Sequence, residues 1–350
     1  MITATQRSRF AFLFAISLYF NVFFATKFWR ANGHFLDGSR CDEGTKISIE
    51  TLPTTISRRG IDLLDGSRCD EGTKISIETL PTTMLRRGID LFDSRRGLEE
   101  VLSRSAPPVW VNIAGKSFCI LSHELDDSIP RLQSEFGLED TMYGAKSLDI
   151  NSQGTVVDIG ANLGAFSIFV ASVAINLQVV SFEPTPTTYF YFLCNLHLNK
   201  INVLQSSDWG DEMKPGVLAL HGAAGSRSGF ISVSWSPEAT QNAAVGTTEP
   251  STQDWLTKEV TQFDVKDFVD GRKVNILKMD CEGCEFSVMP HLQEELLDRT
   301  KIVNFVGEFH LSLLDKNTET NAKKPSDTSI SKSLNVLEKR GCAKAWRFEC

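Results

Sequence analysis

VVDIGANLGAF, residues 156–166, carries an apolar run into a turn built on Asp158, Gly160, Asn162 and Gly164, then out into a second apolar stretch, AFSIFVASVAI, residues 165–175. A short run rich in Val and Ile that breaks at glycines before a longer apolar pattern reads as a strand feeding a helix. In an open α/β sheet the ligand crevice lies at the carboxyl ends of the strands, so this turn is placed to bind something. Glycine at 160 and 164 lets the backbone approach a ligand closely, and the free amides at the helix start suit polar groups. The spacing is G-x-x-x-G with an Asp two residues ahead, not G-x-G-x-x-G, which argues against a nicotinamide cofactor. An Asp there suits the ammonium of an amino-acid-like ligand and favours S-adenosylmethionine.

Working outward, the same alternation recurs. QVVSFE, residues 178–183, is a second strand ending in Glu183, where an acid accepts hydrogen bonds from vicinal ribose hydroxyls. A helical pattern follows around 189–198, and VNILKMD (274–280) and IVNFVGEFH (302–310) are later strands. Strand–helix alternation at this spacing implies a doubly wound, mainly parallel sheet. VWVNIAGKSFCIL, residues 109–121, reads as a β-hairpin, and the polar stretch 316–332 as a loop before a final amphipathic helix. The boundaries that result are a tail and signal-anchor helix over 1–30, a stem over 31–100, a cap over 101–153 and the main α/β domain over 154–350.

The first two segments differ in kind from the rest. FAFLFAISLYFNVFFA, residues 10–25, is an apolar run with Arg7 and Arg9 before it and Lys27 and Arg30 after it. It is apolar on every face and lacks a clean small-x-small site, so it reads as an uncleaved single-pass anchor. The short tail ahead of it predicts a lumenal (Golgi or ER) or extracellular catalytic part. Residues 36–63 and 64–91 are a near-identical repeat that differs only at Ile56/Met84 and Ser57/Leu85. Two copies are too few for a stacked solenoid, and their polar, Gly- and Pro-bearing composition reads as a spacer. Across all 350 residues, 41% are hydrophobic, 23% are charged and the formal net charge is -8. That balance suits a globular protein and argues against one that grips a phosphate backbone, so no nucleic-acid partner is expected.

Four segments, VVDIGANLGAFSIFVA, VVSFEPTPTTYFYFLCNLHLN, ILKMDCEGCEFSVM and VGEFHL, resemble in that order the FkbM-type S-adenosylmethionine-dependent methyltransferases, over about residues 154–313. The resemblance implies a class I methyltransferase fold, a Rossmann-like seven-stranded sheet with one reversed edge strand, and methylation of a hydroxyl on a sugar, glycan or other small-molecule acceptor. Carried onto this chain, it puts Asp158, Gly160, Asn162 and Gly164 around the methionine moiety, Glu183 on the ribose, and Gly222, Ala223 and Ala224 near the adenine. Asp280 and Glu282 fall at the tip of the fourth strand, Glu308 and His310 at the end of the fifth, and these four are the candidate catalytic residues. Methyl transfer from a sulfonium is an in-line displacement, so the protein positions the reactants and helps remove a hydroxyl proton. His310 is the side chain suited to general-base work near neutral pH, with Asp280 or Glu282 orienting the acceptor or sharing the proton.

A divalent ion held by Asp280, Glu282 and His310 stays open, since carboxylate and imidazole donors suit several ions, but no spacing here demands one and no metal ligand is assigned. Of the eight cysteines, Cys281 and Cys284 form a C-x-x-C without the second pair that a zinc ribbon needs. A thioredoxin-like site would leave the glycine turn and Glu183 unexplained, so that spacing reads as incidental, while Cys342 and Cys350 can pair in an oxidising compartment. Two rival readings stay open: a nicotinamide-dependent oxidoreductase on a similar sheet, and an anchored, catalytically silent binding module.

Overall fold

The computed structural model describes residue 69 and residues 75–125, 129, 130, 132, 143, 145–236, 243–245, 256–310, 326–342 and 347–350. The apolar run 10–25 and the first repeat copy lie outside the described residues. Among the described residues no helix is long and apolar enough to cross a membrane.

In chain order the helices α1 (Thr82–Phe92) and α2 (Arg95–Ser103) precede the hairpin β1 (Val109–Ile113) and β2 (Lys116–Ile120). Ala114 and Gly115 both have positive φ, 48° and 78°, the two-residue turn whose twist matches a hairpin. Next come β3 (Gly154–Ile159), α3 (Ala165–Val173), β4 (Leu177–Glu183), α4 (Pro186–Leu198), β5 (Gly216–His221), β6 (Ala223–Gly225), β7 (Gly229–Trp235), β8 (Ala243–Val245) and β9 (Leu256–Asp264). The chain finishes with α5 (Lys266–Val269), β10 (Val274–Met279), α6 (Glu285–His291), α7 (Gln293–Leu297), β11 (Ile302–Glu308), α8 (Asp327–Arg340) and β12 (Arg347–Glu349).

The main sheet has the order β12-β11-β10-β3-β4-β5, with β12 antiparallel to β11 and the other pairs parallel. The reversed edge strand is where the resemblance placed it, but the described residues give this sheet six strands rather than seven. A second sheet, β6-β9-β7-β8, was not expected. Its sequence gives a weak signal, because Gly and Ser punctuate 223–236 and, among the described residues, its own buried core is Val233, Trp235 and Val260.

Strand alternation explains why helices cover both faces. Val156, Val179, Val217, Ile276 and Val306 join one core with α3, α4 and the hairpin; Val157, Val180, Leu218, Leu277 and Phe305 join the other with α6 and α8. Successive side chains point to opposite faces of a strand, so a continuous apolar run fills two cores. Helix α4 is buried almost all round because it lies between the sheet and the N-terminal helices, with Pro186 at its first turn. The 206–216 segment is held from inside: buried Gln178 donates from Nε2 to the carbonyls of Asp208 (3.0 Å), Asp211 (2.9 Å) and Lys214 (2.9 Å), and Gly210 N donates to its Oε1 (2.9 Å).

The spacer reading does not hold through residue 100. Ile77, Met84, Leu98 and Leu102 lie in the core with α4, and Cys69 is bonded to Cys119 of β2. Met84 and Leu85 are the two positions at which the second copy departs from the first, and the pair packs on the domain, Met84 buried and Leu85 partly so. Cys342 is bonded to Cys350, as an oxidising compartment would permit.

Candidate active site

Strand β3 delivers the glycine turn to the carboxyl edge of the sheet. Gly160, Asn162 and Gly164 all have positive φ, 78°, 52° and 83°. A Cβ on Gly160 would stand 1.7 Å from the carbonyl oxygen of Asp280, and one on Gly164 would stand 1.9 Å from Cδ2 of Phe192. The turn therefore needs glycine at both positions because it is pressed against β10's end on one side and α4 on the other.

Asp158 sits differently from the expectation that it meets a ligand ammonium. It is fully buried, and the ammonium it faces is the chain's own: Lys278 Nζ donates to its Oδ1 (3.0 Å) and to the Gly160 carbonyl (2.9 Å). The register sets this up by placing Lys278 opposite Asp158 across β10 and β3. Ser167 donates to Asp158 Oδ2 (2.6 Å), and its hydroxyl also lies 2.7 Å from that of Ser181. Burial works against the Lys278 ammonium, but Asp158, Asp280 and Glu308 outweigh it and its pKa is raised. Sequence reasoning passed over Lys278, although a lysine within the apolar run ILKM signals a buried partner.

Glu183 ends β4 beside the turn and is 5% exposed. Asn162 N donates to its Oε2 and Thr185 N to its Oε1, both at 2.9 Å. Burial raises its pKa to about 7 against the opposing pull of those amides and of Lys278. A buried carboxylate that has one amide on each oxygen keeps further lone pairs for hydroxyl donors. This donor set, with the open glycine turn next to it, fits a nucleoside cofactor bearing a ribose diol. Gly222, which donates its N–H to the Glu183 carbonyl (3.1 Å), is followed by buried Ala223 and Ala224 in β6. The residues expected around the ribose and the adenine are thus neighbours.

The second half of the site lies where β10 and β11 end side by side. Asp280 N donates to the Ile159 carbonyl (3.0 Å), which ties it to the end of β3. His310 Nε2 lies 3.6 Å from Asp280 Oδ1 and 3.5 Å from Glu282 Oε1, while Nδ1 lies 3.0 Å from Glu285 Oε1. Glu285, fully buried, also accepts the backbone N–H of His310 (2.8 Å) and that of Gly283 (2.9 Å). Burial alone would lower the imidazole's pKa, but the hydrogen bond and charge of Glu285, with Glu282 and Asp280, raise it to about 9. Glu308 is buried and accepts from the Tyr143 hydroxyl (3.3 Å). All four residues assigned to catalysis are therefore brought to one edge, together with Glu285, which was not among them. The pattern D-x-E-x-x-E at 280–285 was the available signal for it.

Cys281 and Cys284 are disulfide-bonded across the turn that carries Glu282, whose φ is 52°. Their spacing is thus not incidental: the bond closes the loop between β10 and α6 on which the two acids stand.

A family model described as a methyltransferase FkbM domain matches residues 158–338, just over half of the chain. A "Methyltransferase 1" of Beauveria bassiana (strain ARSEF 2860) is 26% identical over 197 residues, covering 54% of this chain and 72% of that protein. A "Methyltransferase sdnD" of Sordaria araneosa is 27% identical over 179 residues, covering 42% of this chain and 63% of that protein. Among solved structures, M. jannaschii TYW2 in complex with AdoMet is 14% identical with a TM-score of 0.31, covering 69% of this chain and 82% of that one. At that score the structural likeness carries no weight, and the assignment rests on the family match. The methyl donor of the family is S-adenosylmethionine, whose ribose and amino-acid groups suit the donor set described above. By its ordered motifs and by the match over residues 158–338, the chain belongs to the FkbM methyltransferase family.

Proposed function

We propose that the protein is an O-methyltransferase acting on a hydroxyl of a sugar, glycan or other small molecule, carried on a membrane by its N-terminal segment. The observation that carries the reading is the ring of Asp280, Glu282 and Glu285 around His310 at the carboxyl ends of β10 and β11. The turn from Gly160 to Gly164 and Glu183 would hold S-adenosylmethionine, which supplies an electrophilic methyl group when bound. The chain's own task is to orient the acceptor and receive its proton. Here the sequence-based choice of His310 as the base gives way to a carboxylate. The His310 side chain is 13% exposed and turned towards carboxylates, whereas Asp280 and Glu282 are 29% and 44% exposed and are the groups an entering hydroxyl reaches. His310, held through Nδ1 by Glu285, keeps the two acids in place. Three disulfides among the described residues support an oxidising, lumenal or extracellular compartment for the catalytic part.

The test is transfer of a labelled methyl group from S-adenosylmethionine into glycan and small-molecule extracts, with S-adenosylhomocysteine as co-product. Asp280→Asn and Glu282→Gln should bind S-adenosylhomocysteine like the wild type and lose turnover. Calorimetric binding of NAD without either methionine ligand would reject the reading in favour of an oxidoreductase, and binding of S-adenosylmethionine with no labelled product in any extract would favour a silent binding module.

A further inference from the structure

We propose that Asp280, Glu308 and His310 form a site for one divalent transition-metal ion, of the Mn²⁺, Fe²⁺ or Zn²⁺ class, that presents the acceptor hydroxyl to the methyl donor. One ligand atom from each of the three residues lies within 4.8 Å of the others. They come from adjacent parallel strands, Asp280 just beyond β10, Glu308 ending β11 and His310 two residues on, so the sheet itself fixes their spacing.

The imidazole is prepared for a ligand. Glu285, outside the three, is fully buried and engages Nδ1, which turns Nε2 towards Asp280 Oδ1 and Glu282 Oε1, where an ion would take the place of the Nε2 proton. A carboxylate on the far nitrogen of a histidine is the arrangement that orients metal-binding imidazoles and makes them more basic. The 3.5 and 3.6 Å separations from Nε2 to those oxygens exceed a hydrogen bond. The separation from Asp280, 3.6 Å, matches two ligand atoms spanned by an ion, since tetrahedral bonds of about 2.1 Å set their ends about 3.4 Å apart.

Charge leads to the same conclusion. Four carboxylates, Asp280, Glu282, Glu285 and Glu308, converge here on one imidazole, and the Lys278 ammonium, whose charge Asp280 and Glu308 also feel, makes its hydrogen bonds to Asp158 and the Gly160 carbonyl. One imidazole with two carboxylates favours a borderline transition ion over Mg²⁺ or Ca²⁺, and Cys281 and Cys284, being bonded to each other, offer no thiolate. Three protein ligands leave positions open on the ion, as catalytic sites do, and a hydroxyl bound there loses its proton more readily. That role rests on the O-methyltransferase reading, but ion binding does not.

Chelator-stripped full-length protein titrated with Mn²⁺ and with Zn²⁺, followed by calorimetry and for Mn²⁺ by paramagnetic resonance without cofactor or acceptor, tests the site. One ion per chain with micromolar affinity is expected, at least tenfold tighter than Mg²⁺. Asp280→Asn, Glu308→Gln and His310→Gln should each weaken it more than tenfold with the fold intact by circular dichroism, and Glu285→Gln by about 10–100-fold. No saturable Mn²⁺ or Zn²⁺ binding below about 1 mM, or binding undiminished in both Asp280→Asn and His310→Gln, would overturn the proposal. A chain that binds the ion but transfers no methyl group would refute the methyl-transfer reading and leave this one standing.

Discussion

Replacing Lys278 with methionine tests the buried pair on which the glycine turn rests. The ammonium lies 3.0 Å from Asp158 Oδ1, and both residues are buried. At that distance and an effective dielectric of about 20, the attraction is roughly 5 kcal/mol. Desolvation of the two ions cancels much of it, so the intact pair adds little net stability. Removal of one partner is another matter, because it leaves a buried carboxylate with only the Ser167 hydroxyl and strips the Gly160 carbonyl of its donor. Such a loss costs about 3–5 kcal/mol, a large share of the roughly 5–15 kcal/mol of a native domain. The assay is urea unfolding with linear extrapolation on wild type, Lys278→Met, Asp158→Asn and the double variant. The double variant should be more stable than the summed single losses imply by at least about 2 kcal/mol, as coupled neighbours are. A Lys278→Met loss under about 1 kcal/mol, or simple additivity, would refute the reasoning. Unchanged stability with abolished cofactor binding in Asp158→Asn would return that residue to the role of ligand.

Glu183 has a folded pKa of about 7 against an ordinary 4.5, so its contribution is fully present below about pH 4.5 and is lost as pH rises through 7. The wild type should lose roughly 3 kcal/mol relative to Glu183→Gln between pH 4.5 and 8, read by urea unfolding at several pH values; parallel profiles would sink this. Gly160→Ala should cost about 1–3 kcal/mol from overlap with the Asp280 carbonyl beyond the backbone cost it shares with Gly115→Ala, whose φ is also 78° but whose added methyl meets nothing within 4 Å. Equal melting shifts for the two would show that the close approach does not matter. Asn195 Oδ1 accepts from Leu121 N, and its Nδ2 donates to the carbonyls of Leu121 and Leu163. Asn195→Leu should therefore destabilise by about 2–4 kcal/mol through orphaned backbone groups, and a change below about 0.5 kcal/mol in the same assay would contradict it.

What the sequence disclosed follows from where the chain is regular. The parallel strands were legible because burial on both faces leaves apolar runs, and the glycine turn because close backbone contact excludes side chains at Gly160 and Gly164. Asp280, Glu282, Glu308 and His310 were legible as a group because they stand at the ends of such runs. The partner of Asp158 was not, since cross-strand register between residues 120 positions apart leaves no local mark. Neither were the surroundings of His310: imidazole chemistry points to it as the base, while the carboxylates around it and its low exposure, on which the proposed carboxylate base rests, arise only when three chain segments meet. The docking of the second repeat copy was hidden because its composition is polar and its contribution comes down to Cys69 and a few apolar side chains.

The 206–216 loop is gripped through its carbonyls by one internal amide, that of Gln178, so its contour depends on main-chain atoms that every amino acid possesses. Apart from Trp209, which packs on the core, and the Asp208–Lys214 pair, its side chains are thereby left at liberty to diverge. Among descendants of this sequence the loop should mutate freely at Ser207, Glu212 or Met213 while keeping its outline, and the glutamine, silent in any motif, should change last.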